Sequence, residues 1–172
     1  NSVSVILATG AMGFAAPAHY DSGGTDPAHV ALGDLNCDGS TDVAVLNTTS
    51  GSVSLLANGG SGTLGAALAM TVGSSPDGIV VADIDSDGDA DVITGNELSN
   101  DVSIIRSTCS STIPVCGNGI CEAGEDPNCI DCQDQGGGPE TWILANAVTY
   151  SVGPVPGGVA AADIDHDGFM DL

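Results

Sequence analysis

ADIDSDGDADVITGN, residues 82–96, places oxygen-bearing side chains at alternate positions around one glycine and runs straight into an apolar segment. The pattern D-x-D/N-x-D-G-x-x-D stands twice more, in GDLNCDGSTDVAVLN at 33–47 and ADIDHDGFMDL at 162–172. Alternating oxygens around a glycine are how a chain encloses a hard cation such as calcium, the glycine allowing a turn that a side chain would obstruct. A triplicated loop also exposes the repeat on which a fold is built.

The first two copies are offset by 49 residues, Asp34 to Asp83, and the next two by 80, Asp83 to Asp163. The excess coincides with a cysteine-rich stretch, which leaves an underlying period of about 50 with one insertion. Other segments recur in phase: NSVSVILATG at 1–10 with GSVSLLANGG at 51–60 and NDVSIIRSTC at 100–109, and VGSSPDGIVVAD at 72–83 with VGPVPGGVAAAD at 152–163. Pro27 holds the register of Pro76.

Within a unit the apolar runs are short and separated by Gly, Asn, Asp, Ser and Pro, a strand-and-turn pattern without room for a long helix. Four strands are predicted per unit, at 28–33, 42–47, 51–56 and 66–72, with the aspartate loop joining the first to the second. Four antiparallel strands per 40–50 residues is the pattern of propeller blades. These phased elements resemble the FG-GAP/VCBS repeats, the blade of the integrin alpha-subunit propeller and of many secreted bacterial proteins. The resemblance covers nearly everything except about residues 107–140 and implies a β-propeller with calcium held in the loop between strands one and two of a blade.

The expected fold class is therefore all-β: four-stranded antiparallel propeller blades, about three blades' worth with a permuted start, plus a small disulfide-rich insertion. The expected division is propeller blades over 1–106 (a partial blade 1–27, a blade 28–76, and a blade from 77), a cysteine-rich insertion over 107–140, and the end of the third blade with the start of the next over 141–172. Strands at 2–7 and 16–21 read as the last two of one blade, and the C-terminal residues as the first two of another. A closed propeller needs at least four blades. The expectation is of a fragment or one unit of a longer chain, completed by the rest of that chain or by other copies of itself.

The formal charge is −22 with a single basic residue, Arg106. That argues against nucleic acid and anionic membrane surfaces as partners. Hydrophobic content of 42% supports a folded chain, and 3% aromatics leave the core to Val, Ile, Leu and Ala. No apolar run is long enough for a membrane span. Of 19 aspartates, 12 lie in the three loops, so the charge follows the repeat rather than a general solvated face. Six cysteines, five of them between 109 and 132, indicate an oxidising compartment and disulfides. Millimolar extracellular calcium suits weak loop sites, and the expected location is extracellular, secreted or at the cell surface. The sequon Asn47-Thr48-Thr49 adds weak support.

In a loop of this type, positions 1, 3 and 5 supply side-chain oxygens, position 7 a carbonyl, and position 9 a carboxylate able to use both oxygens. The candidate metal ligands are Asp34, Asn36, Asp38, the carbonyl of Ser40 and Asp42 in the first loop; Asp83, Asp85, Asp87, the carbonyl of Asp89 and Asp91 in the second; and Asp163, Asp165, Asp167, the carbonyl of Phe169 and Asp171 in the third. Hard, all-oxygen ligation favours Ca2+ over zinc or copper. The first loop has one carboxylate fewer, so it is expected to bind weakest. Without the ion the clustered carboxylates repel, which makes the ion's expected role structural.

No enzyme is expected. Loops saturated by protein ligands leave little space for a substrate, His19, His29 and His166 fall at unrelated phases, and no G-x-S-x-G nucleophile motif stands in the chain. The insertion, CSSTIPVCGNGICEAGEDPNCIDC at 109–132, resembles CGNG-type modules of large secreted bacterial proteins, with a tighter final C-x-x-C. Asn118, Glu122, Glu125, Asp126 and Asp131 either cage a fourth calcium or form a solvated acidic knot, and the residues leave both open. Cys37, inside the first loop, lies on the face expected to carry the insertion, whose five cysteines leave one over. A Cys37–Cys109 bridge is the expected pairing. The leading functional reading is an extracellular calcium-binding propeller module with a structural or adhesive role, or a subunit or repeat of an extracellular filament. The alternatives are a propeller binding extracellular glycan or protein, and a non-catalytic accessory domain of a secreted enzyme.

Overall fold

Val, Ile and Leu favour a pleated surface that neighbours cover on both sides, and the runs at 42–47, 52–56 and 91–96 become fully buried strands. The computed structural model describes residues 1–10, 13–108, 144–154, 158–162, 164 and 170–172. These residues form strands and turns and no helix; none is part of a helix long and apolar enough to cross a membrane.

Chain order runs β1 (Ser2–Val5), β2 (Ala8–Gly10), β3 (Gly13–Phe14), β4 (Ala18–Asp21), β5 (Pro27–Gly33), β6 (Asp42–Asn47), β7 (Ser52–Leu56), β8 (Leu68–Thr71), β9 (Pro76–Ala82), β10 (Asp91–Asn96), β11 (Asp101–Ile105) and β12 (Val148–Ser151). Two four-stranded antiparallel sheets, β5-β6-β7-β8 and β9-β10-β11-β12, follow strict up-and-down order. β1 pairs with β4 in a two-stranded sheet, and β2 with β3 in a small hairpin between them. Near the C-terminus Ala162 bridges Asp171, the register held by Gly33 and Asp42 in one sheet and by Ala82 and Asp91 in the other.

Alternation along β6 explains how the sheets stack. Ala44 and Leu46 join Leu35, Val53, Leu55, Val92 and Ile105 in the cluster between the two four-stranded sheets, against Ile79 and Val81 of β9. Val43 and Val45 face the other way, with Leu56 and Leu64, against Val3, Val5 and Tyr20 of the β1–β4 sheet. Both faces are covered, so every residue of β6 and β10 is buried. A Cβ on Gly33 would lie 2.6 Å from Val81 Cγ1, so this glycine permits the close approach of the inner strands. Face-to-face stacking of meandering sheets is the arrangement of propeller blades.

The expected strands agree with the observed ones to within two residues at most ends, and β6 starts and stops where the sequence places it. Three differences stand out. The predicted strand at 2–7 splits, because after Val5 the chain turns into the β2–β3 hairpin. The corresponding link carries an isolated bridge, Asn58 to Leu64, in the next blade, and Ser107 to Leu144 in the one after, where the cysteine-rich segment departs and returns. At the C-terminus the two expected strands amount, among the described residues, to the single Ala162–Asp171 bridge. Finally, the Asn47 sequon is overturned as an acceptor: Asn47 has no exposed surface, and its Nδ2 donates to Ser54 Oγ at 2.9 Å.

Leu55 is fully buried in the inter-blade cluster. Leu55→Ala is expected to cost about 2–5 kcal/mol in urea denaturation, whereas the exposed Val30→Ala changes stability by less than about 0.5 kcal/mol.

Candidate metal centre

The first loop lies between β5 and β6 and the second between β9 and β10. Each folds on two residues in the left-handed region. Gly39 (φ 82°) and Gly88 (φ 97°) stand at position 6, with open space where a Cβ would be, so conformation rather than crowding demands glycine there. The second left-handed residue, at position 4, is Cys37 (φ 64°) in one loop and Ser86 (φ 61°) in the other.

Backbone amides then close the ring. Asp34 Oδ2 accepts from Gly39 N at 2.9 Å, and Asp83 Oδ2 from Gly88 N at 3.0 Å. Position 5 secures position 7: Ser40 N donates to Asp38 Oδ1 at 2.7 Å, and Asp89 N to Asp87 Oδ1 at 3.0 Å. In the second loop one carboxylate oxygen from each of Asp83, Asp85 and Asp91 lies within 4.8 Å of the others. Among the described residues it is the one group of three acidic side chains that converges so closely. In the first loop Asn36 replaces the middle carboxylate and donates from Nδ2 to Asp38 Oδ2 at 3.2 Å.

Asp34 Oδ1 and Asp85 Oδ1 are shut off from solvent and accept no hydrogen bond. A buried carboxylate oxygen without a donor is costly, and a cation in the ring offsets that cost. The donor set is hard oxygen throughout, which fits calcium. Such an ion would lie among Asp83, Asp85 and Asp91 and cancel their mutual repulsion.

The sequence reading missed three features. The position 9 aspartate does more than face the ring: Asp42 Oδ2 accepts from Leu35 N at 3.0 Å and Oδ1 from Asn58 N at 2.8 Å. Asp91 repeats this with Ile84 N at 3.0 Å and Ser107 N at 2.9 Å, so one carboxylate ties the loop to the link after strand three. Arg106 Nε lies 3.6 Å from Asp85 Oδ2, and the signal for it was its being the single basic residue of the chain. Cys37 Sγ lies 3.9 Å from Asp89 Oδ1, bringing the two loops side by side around a groove lined by Asp34, Asp38, Gly88 and Ala90.

In the third loop Asp171 is described, and its Oδ2 accepts from Ile164 N at 2.9 Å, the position 9 pattern again. Asp163, Asp165, Asp167 and Phe169 lie outside the described residues, as do the candidate fourth site in the insertion and Cys109. Cys37 is not a free thiol.

The model of the FG-GAP-like repeat matches residues 34–94, from the first ligand position of loop one into β10. Residues 34–94 are an FG-GAP-like repeat. Neither a curated protein nor a solved structure matches the chain. The FG-GAP-like repeat contains both described loops whole, so its boundaries cut through the blades and follow the loop spacing instead.

Burial raises the carboxyls of Asp42 and Asp91 above the ordinary aspartate value of 3.8, and neighbouring loop aspartates push the same way, while the donated backbone amides oppose them. The folded metal-free chain therefore holds protons that the unfolded chain has released. Its stability falls as pH rises from the ordinary value through the raised one. In chelator the melting temperature is expected to drop as pH rises above about 4, and saturating calcium is expected to abolish or reverse that slope. Asn36→Asp is expected to tighten calcium binding at the first loop and to lower the metal-free melting temperature, read by calorimetric titration and thermal denaturation.

Proposed function

We propose that this chain is a non-enzymatic, extracellular, calcium-binding propeller module with a structural or adhesive role, a unit of an extracellular filament or of a longer multi-blade protein. The observation that carries this reading is the convergence of Asp83, Asp85 and Asp91, together with the buried, donorless Asp85 Oδ1. Carboxylates held this close repel one another strongly in partly buried surroundings, and a divalent ion turns the repulsion into a clamp between strands one and two.

Composition supports the location: disulfide chemistry and weak calcium sites both belong outside cells. A role in stability rather than catalysis follows from the ligand arithmetic, since a ring filled by protein oxygens leaves little room for an activated water. The position 9 carboxylates also accept backbone amides from their own loop and from the link after strand three, so ion binding and blade closure would reinforce each other.

The test is calcium titration with thermal denaturation. Each loop site is expected to bind with a dissociation constant on the order of 0.1–1 mM. At a hundredfold excess over that constant the gain is about 2.7 kcal/mol per site. Asp85→Asn is expected to remove most of the second loop's share and to leave the first loop's. A chain whose melting temperature ignores calcium and chelator alike contradicts the proposal.

A further inference from the structure

The chain carries a single basic residue, and the fold sets it against a metal loop. Arg106 Nε lies 3.6 Å from Asp85 Oδ2, the two side chains being 45% and 30% exposed. The arginine directly follows β11, and its carbonyl accepts Ala145 N at 2.9 Å. The next residue, Ser107, is buried; its amide donates to Asp91 Oδ1 at 2.9 Å and its Oγ to Leu35 O at 3.2 Å. Backbone bonds on both sides thus hold the base of the arginine beside the loop that its head meets.

The first loop supplies a control within the same chain. There the counterpart of Arg106 is the buried Ala57, whose carbonyl accepts Gly65 N at 2.8 Å, and the counterpart of Asp85 is the neutral Asn36. The arginine and the additional ligand carboxylate therefore occur together in one loop, and neither stands in the other. Asp83, Asp85, Asp87 and Asp91 with Arg106 carry a formal charge of −3, the same as Asp34, Asp38 and Asp42. The Asp89 carboxylate stays out of this count, because its Oδ1 is turned to Cys37 Sγ, 3.9 Å away across the groove between the loops. In the first loop a side-chain amide faces a carboxylate, Asn36 Nδ2 to Asp38 Oδ2 at 3.2 Å; in the second the guanidinium takes that part.

Resting on the calcium reading proposed above, we infer that Arg106 sets the calcium affinity of the second loop. The guanidinium engages Asp85 through Oδ2 and leaves Oδ1, which is shut off from solvent and accepts no hydrogen bond, to the ion. An arginine does not deprotonate in a protein, so its charge opposes a divalent ion across the shared carboxylate at every working pH. Before the ion arrives, the same charge relieves the repulsion among the clustered aspartates. One residue thus stabilises the metal-free loop and weakens binding to it. The two loops consequently bind calcium with similar affinity, although carboxylate count alone ranks the first below the second. Both sites fill over one range of calcium concentration instead of in sequence.

The experiment is calcium titration of Arg106→Gln and Arg106→Lys, followed by NMR at the Gly88 and Gly39 amides. These donate to Asp83 Oδ2 and Asp34 Oδ2 and report the two loops separately. Arg106→Gln is expected to tighten the second site about fivefold at low ionic strength, the scale of a partly exposed ion pair, and by less than about twofold in ~0.5 M salt. Its metal-free melting temperature is expected to fall by about 2–4 °C. Arg106→Lys keeps the charge and is expected to match the unaltered chain in both readouts. An arginine with a purely structural role predicts the opposite for calcium, since its loss loosens the loop and weakens the second site. Unchanged or weakened binding in Arg106→Gln, tightening undiminished by salt, or a lysine variant that behaves as the glutamine variant does overturns the inference. Should Arg106→Gln unfold without calcium, a titration run downward from the loaded protein gives the same constants. Calcium-induced shifts that ignore Arg106 defeat this inference alone, whereas no shift at either glycine defeats the proposed function with it.

Discussion

One carboxylate per blade holds together parts of the chain that strand pairing alone does not join. Asp42 and Asp91 are buried, a costly position for an ionised group, and each meets that cost in part with two backbone amides from different segments. One amide belongs to the aspartate's own loop. The other comes from the link that follows strand three. The loop therefore cannot hold its shape unless the sheet beside it is in register, and the sheet end is satisfied only if the loop is formed. A cation on the loop would then act on the whole blade.

This constraint explains why the apolar content can be so plain. With 3% aromatics the clusters between sheets are Val, Ile, Leu and Ala, which fill space but specify register weakly. Polar groups at both ends of the strands supply what those side chains lack. At one end stand the position 9 aspartates. At the other stand the fully buried Asn47 and Asn96, donating to Ser54 and to Asp101 and Ser103. Register errors would leave these groups buried without partners, at a penalty larger than any gain from repacking aliphatic side chains.

Much of this was legible in the chain itself. The aspartate spacing marks where β6 and β10 begin, because the last ligand of the loop is also the first residue of the strand. The phase of the VSV-type segments placed the third strand, and the same phase set the insertion apart. The β2–β3 hairpin was not legible: Ala8–Gly10 and Gly13–Phe14 are too short and too poor in branched residues to stand out from a loop. The Asn47 sequon misled for a related reason, since three residues cannot tell whether the asparagine is surface or core.

By itself the sequence determined the repeat, the hard-oxygen character of the loops and the order of strands, because these rest on local spacing and on the chemistry of side chains near one another in the chain. Tertiary structure alone decided the second duty of the position 9 aspartate, since its partner amide lies 16 residues away and is an ordinary backbone group with no side-chain signature. It also decided which apolar residues are covered. Val30 and Leu32 belong to the same kind of strand as the packed Ile79 and Val81, and only the sheet stacked against each one makes the difference.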